Sequence, residues 1–155
     1  VLLPQDQLDN CVNFSFAYIY HSEGDLGKAL KYISKVNFPL SILKVQVKIM
    51  QVQLNFELGY YEETRSFIET FRKTLVKEAI VSDDYKNSIL NFLKLTIALI
   101  IIKEESDRKT QQYEANKLNE TVTKKQLNHF GIKFWLQDRV SEVLNHSNKK
   151  LKGVN

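Results

Sequence analysis

Breakers are scarce in this chain of 155 residues. It has 5 glycines and 2 prolines, Pro4 and Pro39, far below the typical ~7% glycine and ~5% proline. So few leave no room for the many tight turns of a β-sandwich or barrel. Cysteine is nearly absent too. Cys11 stands alone, which excludes an internal disulfide framework and fits a reducing compartment, so the expected location is the cytoplasm. No charged leader with a small-residue cleavage site precedes an apolar run. The most apolar stretch, Ile89 to Ile102, is interrupted by Asn91 and Lys94 and falls short of the ~20 residues that span a bilayer. It reads as a buried helix. The chain opens Val1-Leu2-Leu3-Pro4 without an initiator methionine, as expected of a domain cut from a longer protein or of a processed start.

What is present is an ordinary globular mixture, 43% hydrophobic and 26% charged, rich enough in apolar side chains to exclude wholesale disorder. The net charge of +4 is uneven. Residues 1–102 hold 11 basic and 11 acidic side chains; residues 103–155 hold the other 11 basic against 7 acidic. A nucleic-acid-binding surface normally shows a denser patch interleaved with arginine or aromatics, so most of these lysines read as solvated surface.

Helical periodicity runs through most of the chain. Pro4 with Gln5-Asp6-Gln7 marks a first helix, on which Leu8, Val12, Phe16 and Ile19 recur as an apolar face until Glu23-Gly24. A second helix starts at Asp25, places Ala29, Leu30, Ile33 and Val36 on one side, and is broken before Pro39. The third, about 40–58, has two apolar stripes at 100° per residue. Ile42, Val45, Ile49, Val52 and Phe56 form one; Leu43, Val47, Met50, Leu54 and Leu58 form the other. Lys44, Lys48, Gln51 and Asn55 separate them on one side, and Gln46, Gln53 and Glu57 on the other. A helix with two apolar flanks has helical neighbours on both sides.

The fourth helix, about 60–80, is apolar on one face only (Phe67, Ile68, Phe71, Leu75). Ser82-Asp83-Asp84 offers an N-cap for a fifth helix that runs to about Glu105. That helix is apolar over most of its circumference, with a narrow strip of Asn87, Asn91, Lys94 and Ala98. Residues 106–128 are polar and weakly periodic, with Tyr113, Ala115, Leu118 and Val122 to bury. A last helix carries Ile132, Trp135, Leu136, Val140, Val143 and Leu144 at i, i+3, i+4 spacing. It is expected to cover helix five and to cap the domain, with Lys133, Gln137, Asp138 and Glu142 on its wet side. Residues 147–155, including Lys149, Lys150 and Lys152, read as a basic flexible tail.

An internal repeat links the first four helices. Gly24 and Gly59 lie 35 residues apart, and the same offset relates Phe14 to Ile49, Ala17 to Val52, Ala29 to Thr64, Tyr32 to Phe67, Ile33 to Ile68 and Val36 to Phe71. The run from Phe16 through Gly24-Asp25 to Ala29 and Tyr32 resembles the tetratricopeptide repeat (TPR), as does Leu58-Gly59-Tyr60-Tyr61-Glu62-Glu63-Thr64 more weakly. Asn13 and Lys48 stand where the family has tryptophan, Thr64 replaces its small alanine, and the closing proline is displaced to Pro39 in one copy and absent from the other. Poorly matching helical units of this kind are similar to those ending larger bacterial proteins.

The resemblance implies an all-α fold, a right-handed helical hairpin repeat or TPR-like α-solenoid of about seven helices with a C-terminal capping helix. It would form a single domain over 1–146, with repeat-like units at about 10–38 and 45–75 and capping helices at about 83–146. In that family the first helix of each hairpin lines a concave surface that receives a peptide or protein. The resemblance would place Cys11, Phe14, Tyr18 and His21 there from one copy, and Gln46, Ile49, Gln53, Phe56 and Glu57 from the other.

Catalytic signals are missing. His21, His129 and His146 lack partners at metal-ligand spacing, and there is no phosphate loop or nucleophile elbow. Glu62-Glu63, Asp83-Asp84 and Glu104-Glu105 are adjacent pairs that diverge by about 100° on a helix, so they cap or solvate. Cys11 reads as a small packing residue, since a reactive thiol needs a cationic neighbour. Trp135 reads as a core anchor, with an interface role as the alternative. No cofactor or metal is expected. The sequence points to a non-enzymatic interaction or assembly scaffold, whose protein or peptide partner is separate or another domain of the same longer chain; self-association stays open. The alternatives are a nucleic-acid-binding domain using the basic C-terminal third and a helical-bundle enzyme.

Overall fold

The computed structural model describes residues 4–39, 41–78 and 81–151. The protein is all-α. Among the described residues there are seven helices and no strands: α1 (Gln5–Ser22), α2 (Leu26–Ile33), α3 (Ser41–Glu57), α4 (Tyr61–Lys77), α5 (Asp83–Glu104), α6 (Arg108–Lys124) and α7 (Ile132–Leu151). They fall into two compact units, residues 1–81 and 82–155.

In the first unit each helix packs on its sequence neighbour. The two hairpins turn in the same way. At the end of α1 the Gly24 N–H donates to His21 O at 3.1 Å and the Asp25 N–H to Tyr20 O at 2.9 Å; at the end of α3 the Gly59 N–H donates to Phe56 O at 3.0 Å and the Tyr60 N–H to Asn55 O at 2.9 Å. Both are Schellman closures, which satisfy the last orphan carbonyls of a helix and require one left-handed residue. Gly24 has φ 80° and Gly59 φ 79°. The next helix starts at once, with Ala29 N–H bonded to Asp25 O and Thr64 N–H to Tyr60 O.

Burial follows the same 35-residue offset. Ala17 and Val52, Ala29 and Thr64, Ile33 and Ile68, and Val36 and Phe71 are all buried. Ala17 and Ala29 share one core cluster, where two small side chains let α1 and α2 approach closely. Thr64 fits a fully buried site because its hydroxyl donates to Tyr60 O at 2.6 Å, leaving no unmet polar group.

α3 has helical neighbours on both sides, as its two stripes require. Val47, Met50 and Leu54 join the cluster with Ala29, Ile33 and Val36 of the α2 segment. On the other flank Val45, Ile49, Val52 and Phe56 are buried, α4 packs against α3, and Phe56 meets Tyr61 at 5.5 Å between ring centroids.

α1 departs from expectation. Its regular apolar positions Leu8, Val12, Phe16 and Ile19 are all exposed. The buried side instead carries Asn10 and Ala17. Asn10 earns its burial by clamping the α2–α3 connection, donating to Asn37 O at 3.0 Å and accepting from Asn37 N at 2.8 Å. Cys11, next to Asn10, turns off that side and is exposed rather than packed.

In the second unit α5 packs against both α6 and α7, which also pack on each other. Ser82 caps α5, its hydroxyl accepting from Tyr85 N at 3.3 Å. By length and composition α5 could cross a membrane; here Ile89, Phe92, Leu93, Leu99 and Ile100 are completely buried. Its exposed strip is less polar than expected, since Ile101 is exposed. The α7 stripe of Ile132, Trp135, Leu136, Val140 and Val143 is buried, and Trp135 meets Phe92 edge-on at 5.7 Å.

The polar stretch 106–128 contains a full helix, α6, started by Asp107, whose carboxylate accepts from Thr110 N at 2.8 Å. Ala115, Leu118 and Val122 are buried on its inner face, whereas Tyr113 lies outside that face and is exposed. α7 runs to Leu151, into the stretch expected as a tail; residues 152–155 lie outside the described residues.

The turns make the glycines unequal. A Cβ at Gly24 or Gly27 would meet nothing within 4 Å, so backbone conformation alone decides. Gly24→Ala is expected to lose about 1–2 kcal/mol through its left-handed φ, whereas Gly27→Ala, inside α2, is expected to gain up to about 1 kcal/mol. Urea unfolding of the two variants checks this; equal stabilities would contradict it.

Candidate functional site

The band expected from the resemblance runs along α1 and α3. α1 contributes Phe14, Tyr18 and His21 at i, i+4, i+7, which share one side of a helix; α3 contributes Gln46, Ile49, Gln53, Phe56 and Glu57. Two polar contacts join the helices. The Gln46 Nε2 donates to the Tyr18 hydroxyl at 3.1 Å, and His21 Nε2 lies 3.1 Å from Glu57 Oε2 and 3.3 Å from Oε1. Gln46 and Glu57 are 11 residues apart on α3, about 16 Å at 1.5 Å per residue, whereas Tyr18 and His21 are 3 apart on α1, about 4.5 Å, so both contacts gather at the C-terminal end of α1.

The side chains of the band differ in what they present. Tyr18 is 45% exposed, and Gln46, His21 and Phe14 are half-buried. The Phe14 ring stands edge-on to Tyr18 at 5.0 Å and to Phe38 at 5.6 Å, which fixes the Tyr18 ring beside the α2–α3 connection. Gln53 is buried, and Ile49 and Phe56 keep only 2% and 3% of their surface; the last two are taken up by packing. The band therefore offers aromatic edge, hydroxyl and carboxamide groups over a packed apolar floor. Such groups can donate and accept hydrogen bonds at the surface.

A second polar feature was legible only as a strip of letters. Lys44, Lys48 and Gln51 of α3 line a groove of about 290 Å³ with Val36, Asn37 and Phe38. Lys48 donates to the Thr74 hydroxyl at 3.0 Å and lies over the Phe71 ring. Burial, reinforced by neighbouring Lys44, lowers its pKa, with Glu78 acting in the opposite sense. It is tied into the α3–α4 packing.

Sequence reasoning gave no role to Tyr85. It is buried at the start of α5, edge-on to His129 at 4.8 Å and to Phe130 at 5.9 Å. Phe130 holds φ 53°, unusual for a non-glycine residue. The Tyr85 hydroxyl, Ser88 Oγ and His129 Nδ1 are buried with no hydrogen-bond partner among the described residues. No group of three or more His, Cys, Asp or Glu side chains converges among the described residues.

No protein-family model matches this chain, and neither curated proteins nor solved structures include one significantly similar to it.

Burial pushes the Tyr85 hydroxyl up to about 12 from its ordinary value near 10. The folded chain thus keeps a proton that the unfolded chain releases from about pH 10. Stability from this group is complete below pH 10 and falls as pH rises from 10 through 12. Tyr85→Phe is expected to remove that component of the alkaline loss and to leave neutral-pH stability unchanged or slightly higher, because it deletes an unpaired buried hydroxyl. Unfolding curves at pH 7 and pH 11 check this; equal alkaline losses in both proteins would contradict it.

Proposed function

We propose that this protein is a non-enzymatic interaction scaffold, and that the α1–α3 band receives an extended segment of a protein partner. The observation that carries this reading is the pair of cross-helix contacts, Tyr18 with Gln46 and His21 with Glu57, set on two helices that end in the same glycine closure. Repeated turns hold successive helices in fixed register, so their exposed side chains form a rigid band, and rigidity lowers the entropy cost of binding. The stretch of α3 from Gln46 to Glu57, about 16 Å, matches roughly five residues of extended chain at 3.3 Å each.

On this reading the family is a divergent TPR-like one and the fold a short solenoid. The repeated glycine turn, the Ala29 and Thr64 crossing points and the two packed flanks of α3 support it. Recognition would rest on shape and on hydrogen bonds from Gln46 and Tyr18, with no bond made or broken.

Selection of displayed peptides against the chain tests the proposal. Selected peptides are expected to lose about tenfold or more in affinity when Gln46→Ala is combined with Tyr18→Phe, an effect worth about 1.4 kcal/mol, while helicity and melting stay unchanged. Peptides that bind the double variant as tightly as the parent would contradict it. So would a chain that captures only nucleic acid, with affinity falling steeply as salt is added.

A further inference from the structure

Basic and acidic side chains are segregated within the first unit. Residues 26–56 hold five lysines and no Asp or Glu. Lys28, Lys31 and Lys35 stand exposed on α2 and its closing turn. At i, i+3 and i+7 they share one side of the helix, with Tyr32 among them. Lys35 leads directly into Val36, Asn37 and Phe38, which line the groove that also holds Lys44 and Lys48. One carboxylate intrudes: Asp25 pairs with Lys28 at 2.8 Å, and Glu23 adds a weaker attraction to the same ammonium. Lys31, Lys35 and Lys44 pair with no carboxylate among the described residues.

Three aromatic rings lie against this basic side. Tyr20 and Tyr32 are stacked, with centroids 5.4 Å apart and 20° between their planes. Phe16 lies 5.2 Å from Tyr32 and 6.3 Å from Tyr20. The Lys28 and Lys35 ammoniums each sit 5.1 Å from a ring centroid, over Tyr20 and Tyr32 respectively, within the range of cation–π attraction. Both tyrosines pack on the core cluster, which anchors the group. Phe16 has no cation over it among the described residues and is 40% exposed. The hairpin does not require this cluster. Thirty-five residues on, Phe16, Tyr20, Lys28, Lys31 and Lys35 become Gln51, Asn55, Glu63, Ser66 and Thr70, in a hairpin that turns the same way.

We propose that this face of the α1–α2 hairpin binds single-stranded nucleic acid, with a base stacked on Phe16 and phosphates on Lys28, Lys31 and Lys35. The rings select the class of polyanion. An acidic polypeptide would use the lysines and leave Phe16 without a role, and a duplex keeps its base faces covered, whereas a single strand presents both phosphates and free base faces. The lysine stems lie along the tyrosine rings and hold their charges beside the platform. The inference stands apart from peptide binding on the α1–α3 band, since none of these residues belongs to it.

Fluorescence anisotropy with labelled oligothymidylate and oligouridylate, each about 12 nucleotides long, tests this over rising salt. The logarithm of affinity is expected to fall against the logarithm of salt with a slope of about −2 to −3.5, as for three to five phosphates neutralised on a single strand. Phe16→Ala should weaken binding about tenfold and Phe16→Trp should keep it. Lys31→Glu combined with Lys35→Glu should abolish it. Melting should stay unchanged throughout, because all three side chains are exposed. Tyr18→Phe combined with Gln46→Ala, which disables the band, should leave it intact. Absence of binding at low salt would overturn the proposal. So would polyglutamate or a duplex binding as tightly as the single strands, with no response to Phe16→Ala, which would make this a face for an acidic partner. Binding that survives the two lysine reversals would also overturn it, and would place the contact in residues 103–155.

Discussion

A helix can reverse direction within two residues only if its last carbonyls find donors, and here the donors are the amides of Gly24 and Asp25 in one hairpin and of Gly59 and Tyr60 in the other. Each closure requires a backbone in the left-handed region, where a side chain with a Cβ costs about 1–2 kcal/mol. Once that turn is closed, the start of the following helix is fixed, and with it the residue that meets the preceding helix at closest approach. Ala29 and Thr64 occupy that place, both fully buried. The two glycine turns therefore place Ala29 and Thr64 at equivalent points, 35 residues apart.

The same register organises the polar chemistry of the first unit. Because α1 and α3 present equivalent sides, side chains from one can reach across to the other, and the His21–Glu57 and Tyr18–Gln46 contacts do so. Asn10 supplies a third tie, to the α2–α3 connection. These bonds hold two helices that share few close backbone approaches, so side-chain reach defines the band. The second unit works differently. One long apolar helix, α5, is covered by α6 and α7, and aromatic edges (Phe92 with Trp135, Tyr85 with His129 and Phe130) fill the spaces between.

Much of this was legible from spacing, and the failures have physical causes. The glycine turns, the double-flanked α3 and the buried stripe of α7 are periodic and strongly apolar, so residue type alone locates them. α6 was harder to read because three buried residues, Ala115, Leu118 and Val122, suffice to seat a helix whose other faces are wet. Period identifies an apolar face but not its partner, and so the regular stripe of Leu8, Val12, Phe16 and Ile19 stands exposed while the inner side of α1 is Asn10 and Ala17. Cys11 was misplaced with them. Among the band residues, Tyr18, His21, Gln46 and Glu57 come together, whereas Ile49 and Phe56 serve the floor beneath. Tyr85 left no signal in the sequence, since an unpaired buried hydroxyl depends on what tertiary contacts surround it.

The repeated closure can be observed directly in solution. Scalar couplings across hydrogen bonds link an amide nitrogen to the carbonyl carbon that accepts from it, and they vanish when the bond is open. In a deuterated, isotope-labelled sample the Asp25 nitrogen is expected to couple to the Tyr20 carbonyl, and the Tyr60 nitrogen to the Asn55 carbonyl, with similar size. Two matched couplings are the result this account predicts; a coupling at one turn without the other would contradict it.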